Sequence, residues 1–399
     1  MVTSRVAAAS VGGLPRVFWF LFAGQLVNRF GNMVVTFLVF YLSARGLPAA
    51  RIGVVLAVLG AGGVLSQPLG GLLADRAGRR FTLVAGMVAT AGCLVFLGAA
   101  RAFPTLVAAA GLLGLVGDVY RPASAALIAD HVPRARRVKA FGLIFWAINL
   151  GYPLAGTAGG LLTAHGYGPL FAVDAGTCLL FAAIIWIGVP RDVRHRRPAA
   201  AGGYRTALRD RLFLAFVLLT VVYGAVYAQA MVGVPLALRD DGLPPSAYAV
   251  IPVVNGVLIV VLQPVAGPWL ARRAPLRMLA AAWALVGLGM GLTGLAGTPA
   301  QYAMTAAVWT LGEIGAGGLM GSVVADLAPA GAQGRYQAVF GFGTGLSKLA
   351  ASAAGAAVYA APGPGALWGG CAGLGAACAL GAVLLAPAVR LRIDNEEEH

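Results

Sequence analysis

Apolar runs of about twenty residues follow one another through almost the whole chain, separated by short stretches that hold most of its charge. No water-soluble fold accommodates that pattern. With 59% hydrophobic and only 11% charged residues over 399 positions, the chain has too little charge to cover a globule in water, so lipid must be its solvent. The runs are rich in Ala, Leu and Gly and do not alternate. A sheet with open edges would also leave its backbone unsatisfied in lipid, so the runs are read as helices. The expected architecture is an all-α polytopic membrane protein with about twelve transmembrane helices. They fall near residues 16–43, 51–75, 80–100, 104–129, 138–163, 168–188, 212–238, 247–271, 276–296, 301–326, 334–360 and 364–388.

A net charge of +15 would point to nucleic acid in a soluble domain. Here the arginines form short clusters between apolar runs, with no basic helix or aromatic-interleaved strip, so no nucleic-acid partner is expected. The clusters instead set topology. Alternate connections carry Arg76, Arg79 and Arg80; Arg134, Arg136, Arg137 and Lys139; the stretch 191–211; Arg272, Arg273 and Arg277; and Arg335. Together with both termini they hold about 22 of the 29 Lys and Arg, against Arg45, Arg51, Arg101 and Arg239 opposite. Both termini are therefore expected in the cytoplasm, with the chain multi-pass in the cell (plasma or inner) membrane. The first apolar run lacks the features of a cleaved signal peptide and is expected to remain as a spanning helix.

Cys93, Cys178, Cys371 and Cys378 lie inside apolar runs with no CxxC pair, which argues against a disulfide or a metal site. His131, His165, His195 and His399 form no HxxxH or HExxH spacing, and no GxSxG or phosphate-binding loop occurs. Neither an enzyme nor a cofactor is expected.

The chain also repeats itself. Leu47-Pro48 and Leu243-Pro244, Gln67-Pro68 and Gln263-Pro264, Gly71 and Gly267, Arg76 and Arg272, Asp130 and Asp326, and Pro133 and Pro329 share one offset of about 196 residues. The expected organisation is two pseudo-symmetric six-helix bundles, 1–189 and 212–389, joined by a basic cytoplasmic linker at 190–211 and followed by a tail at 390–399. A parallel repeat of this kind places a substrate site near the membrane midplane between the halves, with rocking of one half alternating its exposure.

The connection between the second and third runs reads Gly71-Leu-Leu-Ala-Asp75-Arg76-Ala-Gly78-Arg79-Arg80-Phe-Thr-Leu83. It resembles the loop signature of the major facilitator superfamily, G-x-L-a-D-r-x-G-r-[rk]-x-x-l, at every defined position. Its physical logic is a latch. Asp75 can face the positive N-terminus of a helix in the other half, Gly78 permits a tight turn, and Arg79 can pair with a carboxylate such as Asp130. The resemblance implies a gating role for Gly71, Asp75, Arg76, Gly78, Arg79, Arg80 and Asp130. The copy in the second half is degraded, with Ala271 and Pro275 at the corresponding places, so a one-sided latch is expected.

Gly117-Asp118-Val-Tyr120-Arg121-Pro122 lies in the fourth run, and the spacing of three puts Asp118 and Arg121 on one helical face. Charges at that depth are costly unless paired or facing a wet cavity. Glu313 of the tenth run occupies nearly the repeat position of Asp118. This arrangement resembles the twelve-helix multidrug:proton antiporters of the superfamily, which implies a proton-coupling role for Asp118, Arg121 and Glu313. The alternative is a structural Asp118–Arg121 ion pair and a hydrogen-bonded Glu313.

In the fifth run, Gly159-Gly160 fits the closing glycines of the antiporters' G-x-x-x-G-P-x-x-G-G pattern, while Ala155-Gly156 stands in place of Gly-Pro and the proline is Pro153. Small residues there serve helix packing equally well. The first run carries a polar stripe of Gln25, Asn28, Arg29 and Asn32 at helical spacing. Arg29 either receives an anionic group of a substrate or is neutralised by a carboxylate on a neighbouring helix. With Trp146, Asn149, Tyr152, Tyr223, Tyr227 and Asn255 the stripe makes up the candidate substrate-binding set, a mixture of aromatics and amides suited to an amphipathic compound. Asp174, near the outer end of the sixth run, is read as interfacial.

The sequence thus suggests a secondary active transporter, functional as a monomer in the bilayer, exporting amphipathic or drug-like small molecules in exchange for protons. A proton-coupled symporter importing a polar nutrient or peptide is the alternative, and a non-transporting membrane sensor or scaffold is the reading from another class.

Overall fold

The computed structural model describes residues 12–191, 203–329 and 331–397, so most of the linker expected at 190–211 lies outside the described residues. Among the described residues the chain is helical with no strand. Eleven helical segments are long and apolar enough to cross a membrane. The helix Gln333–Ala360 has the length, 28 residues, but carries Gln333, Arg335, Gln337 and Lys348 and is not one of the eleven. Numbered in chain order as spans, the eleven together with this helix are Arg16–Ala44, Ala49–Arg76, Arg79–Ala99, Phe103–His131, Arg134–Thr163, Gly168–Gly188, Arg211–Asp240, Pro245–Leu270, Pro275–Thr293, Pro299–Leu327, Gln333–Ala360 and Pro364–Glu397.

Proline and capping residues mark where these helices begin. Pro15, Pro48, Pro133 and Pro244 occupy N-cap positions in extended conformations, and Pro275 and Pro299 open their helices, where a missing N–H costs nothing. Asp210 accepts a hydrogen bond from Phe213 N at 3.1 Å to cap the seventh span, and Thr298 with Gln301 forms a capping box at the tenth. Between the second and third spans Gly78 turns the chain at φ 102°, a backbone region that a side chain disfavours.

Three spans are broken. The first divides into Arg16–Gly31 and Val34–Ala44, the fourth into Phe103–Gly117 and Tyr120–His131, and the seventh into Arg211–Tyr227, a 3-10 turn at Ala228–Ala230, and Gly233–Asp240. A break inside a bilayer needs partners for the freed backbone groups, and polar residues stand at each: Asn32, Asp118 and Gln229.

The described chain forms two compact units. The first takes in the chain up to Arg136, Ala147–Gly203 and Pro329–Phe342; the second takes in Arg137–Trp146, Tyr204–Ala328 and the chain from Gly343 on. Each unit therefore includes the opening turns of a span from the other sequence half. In the first, the third span packs along the sixth, the first along the sixth and the second along the fourth, around Leu21, Leu83, Met87, Leu106 and Phe181. The second and fourth spans touch backbone to backbone: a Cβ on Gly114 would stand 2.2 Å from the Leu59 carbonyl oxygen. In the second unit Gly287 and Gly375 make the same contact between the ninth and twelfth spans, beside a core of Phe213, Phe216, Trp283 and Tyr302. The outer faces are apolar, with Ile187 79%, Val265 73% and Leu161 72% exposed, as lipid contact requires.

Candidate functional site

At the turn after the second span, Asp75 is the centre of a compact cluster in the first unit. Its Oδ1 accepts from Gly334 N at 3.0 Å and its Oδ2 from Arg335 N at 3.1 Å and Arg335 Nε at 2.8 Å. These amides belong to the first turn of the eleventh span, whose orphan N–H groups and dipole suit a carboxylate. Gly334 has no room for a side chain, because a Cβ would lie 2.7 Å from Asp75 Oδ1 and 2.8 Å from the Gly71 carbonyl oxygen. Arg79 Nε lies 2.8 Å from Asp130 Oδ2, while its Nη2 lies 3.6 Å from Asp75 Oδ1 and its Nη1 donates to the Ala74 carbonyl at 2.9 Å. Gly71, Asp75, Gly78, Arg79 and Asp130 thus come together. Arg76 is exposed, and Arg80 turns away to the Trp186 carbonyl.

The residue that sequence reasoning misses here is Arg335, which by sequence is one more topology-setting cation. Its place in the first turn of a span was the available signal. In the second unit Asp326, the repeat counterpart of Asp130, pairs with Arg137 Nη1 at 2.6 Å. Arg392 ties the last span to Asp210 at 2.7 Å and to the Leu327 carbonyl at 2.7 Å.

Deeper in the first unit, Gln25, Asn28 and Arg29 are buried and Asn32 is half-buried at the break of the first span. Arg29 Nη2 donates to the Tyr120 hydroxyl and its guanidinium lies 5.9 Å from that ring's centroid; Asn28 Nδ2 donates to Cys178 Sγ at 3.3 Å. Asp174, read from sequence as interfacial, is buried instead. Its Oδ2 accepts from Val34 N at 3.2 Å, capping the second piece of the first span. A break in a neighbouring helix creates that need, and nothing in the local sequence of the sixth span announces it. Arg121 Nε donates to Asp118 Oδ1 at 2.6 Å, with both side chains partly exposed at the break of the fourth span.

In the second unit Glu313 is buried, 6% exposed, and its carboxylate is held at both oxygens. Oε1 accepts from the Tyr227 hydroxyl and Oε2 from Asn255 Nδ2, each at 2.6 Å, and Asn255 Nδ2 also donates to Thr310 Oγ1 at 3.0 Å. Tyr223 stacks between Tyr227 and Trp283, with centroids 6.3 and 5.8 Å away, and Trp309 meets Tyr227 edge-on at 5.7 Å. Trp146 Nε1 donates to the Val260 carbonyl at 2.9 Å. Asn149 is half-buried in the fifth span, and the Tyr152 side chain lies outside the described ones. Of the candidate substrate residues, Tyr227 and Asn255 are therefore gathered on Glu313. Asp118 and Arg121 belong to the first unit, and Glu313 belongs to the second.

Comparison with known proteins agrees with this architecture. The chain is 26% identical over 352 residues to the multidrug resistance protein MdtH of Cronobacter sakazakii, covering 86% of this chain and 85% of that one. It is 24% identical over 341 residues to a Na(+), Li(+), K(+)/H(+) antiporter of Planococcus maritimus, covering 76% and 80%. Its fold matches the crystal structure of the human organic anion transporter MFSD10 (TETRAN) with a TM-score of 0.75 at 16% identity, over 92% of this chain and 99% of that one. The sequence model of the Major Facilitator Superfamily matches residues 21–351, and the chain belongs to that family of membrane transporters.

Proposed function

We propose that this chain exports amphipathic small molecules in exchange for protons, by alternating access in the cell membrane with both termini in the cytoplasm. The observation that carries the reading is Glu313, a buried carboxylate in mid-span whose two oxygens are held by Tyr227 and Asn255. A carboxyl group that meets water in one conformation and apolar surroundings in another changes its proton affinity between them, which is what coupling requires. Each proton moved inward supplies about 2.3 kcal/mol per 100 mV of membrane potential. The Asp118–Arg121 pair is the second ionisable element, and the Asp75 cluster serves as the gate on its side of the membrane. The similarity to a multidrug resistance protein and to a cation/proton antiporter supports exchange over symport.

The test is transport in everted vesicles or proteoliposomes carrying the full chain. An acid-inside gradient should drive accumulation of a lipophilic dye, and collapse of the gradient should release it. Accumulation indifferent to the gradient, or Glu313→Gln and Asp118→Asn variants that keep wild-type gradient-driven rates, would refute the reading.

A further inference from the structure

Two arginines of the first unit are buried among the described residues, and they are treated differently. Arg335, 5% exposed, lies on Asp75, whereas Arg29, 9% exposed, forms no ion pair. A guanidinium carries several N–H donors and no acceptor. In Arg29 only Nη2 has an acceptor, the Tyr120 hydroxyl; Nε is buried without one, and Nη1 has none among the described residues. The described acids of the same unit are engaged elsewhere: Asp75 with Arg335, Asp130 with Arg79, Asp118 with Arg121, and Asp174 with the Val34 amide. A more distant carboxylate could offset the charge of Arg29 but would leave its N–H groups without an acceptor, and a buried donor in that state is costly. The neighbouring-helix carboxylate that could have neutralised Arg29 is therefore not in contact with it. Gln25, 3% exposed, and Asn32 share the helical face of Arg29 and make no side-chain hydrogen bond among the described residues.

We propose that Arg29 receives the anionic group of the transported amphiphile, a carboxylate or sulfonate, with Gln25 and Asn32 as further donors from the same face of the first span. The inference rests on the export reading above and narrows it to a substrate class. A guanidinium presents its donors as a planar fork that fits two oxygens of one anionic group. Amides alone would accept a neutral group equally well, because they both donate and accept; the fixed charge makes the choice. A cationic amphiphile would bring a second positive charge beside Arg29, which disfavours it.

The test is binding without any gradient, so a carrier that proved to import, or to run uncoupled from protons, would leave its outcome unchanged. The full chain in phosphatidylcholine nanodiscs is titrated calorimetrically, against empty nanodiscs, with naphthyl and octyl compounds made as carboxylate, sulfonate, amide and amine. The two anions should bind about tenfold more tightly than the amide of the same apolar body, the size expected of a charge-assisted hydrogen bond, and the amine should bind least. Arg29→Gln should bring the anions down to the affinity of the amide. Arg29→Lys, which keeps the charge without the fork, should retain part of the preference and serves if the glutamine variant does not fold. Tyr120→Phe frees Nη2 and should preserve or enlarge the preference, which a purely structural Arg29–Tyr120 contact would not do. Anions that bind no better than their amides in the wild-type chain, or a preference unchanged in both Arg29 variants, would overturn the proposal. So would displacement of the amphiphile by phosphatidylglycerol in the nanodisc or by sodium sulfate at constant ionic strength, since the site would then belong to a lipid headgroup or a small inorganic anion.

Discussion

Asp75 and Arg335 stand 260 residues apart in sequence and 2.8 Å apart in space, and the Asp75 carboxylate also receives the backbone amides of Gly334 and Arg335. Three donors on one buried carboxylate bind the turn after the second span to the start of the eleventh more firmly than a surface ion pair would.

Removing one partner should be worse than removing both. Asp75→Ala leaves the Arg335 guanidinium buried without its carboxylate and should cost about 3–5 kcal/mol. Asp75→Ala combined with Arg335→Met should recover a large part of that loss. Thermal unfolding of the single and double variants in detergent gives the coupling energy directly. Additive losses would show that the two side chains do not act as a pair.

The glycines of the fifth span should not respond alike. A Cβ on Gly151 would lie 2.4 Å from Arg29 Cβ and 3.1 Å from its carbonyl carbon, and one on Gly159 would lie 2.5 Å from the Phe37 ring, whereas Gly156 faces open space. Gly151→Ala should therefore push the first span away at Arg29, at a cost of about 1–3 kcal/mol. Gly159→Ala should cost less, since a ring can rotate. Gly156→Ala should be neutral or stabilising by up to about 1 kcal/mol through helix propensity. Melting temperatures of the three variants check the order.

Asp174 caps a helix that begins inside the membrane, at Val34. Asp174→Asn keeps an acceptor for that amide and should lose less stability than Asp174→Ala, which removes the cap at about 0.5–2 kcal/mol. Amide hydrogen exchange at Val34 and the following turn should speed up in the alanine variant. Unchanged protection there would mean that the break needs no cap.

Glu313→Gln should abolish gradient-driven accumulation, by at least about tenfold, while leaving downhill exchange of substrate across the membrane. Measuring both modes in the same proteoliposomes separates a coupling residue from one needed only for folding, whose loss would impair both.

The succession of spans, the two halves related by an offset of about 196 residues and the loop from Gly71 to Leu83 could be read without coordinates. Hydropathy and arginine placement are local properties of the chain, and lipid leaves little freedom in how an apolar run of that length can satisfy its backbone. The breaks at Asn32, Asp118 and Gln229 could not be read in the same way, because the apolar runs continue through them and only a neighbour's polar group makes an interrupted ladder tolerable. Asp174 is such a neighbour, and its role depends on a helix break 140 residues away. Arg335 likewise looked like one more cation among many until the tertiary fold set it on Asp75. Sequence determined which segments enter the membrane. Tertiary structure decided which of the few charged and polar groups inside or beside it meet, since pairing at long sequence separation depends on packing geometry that no local pattern encodes.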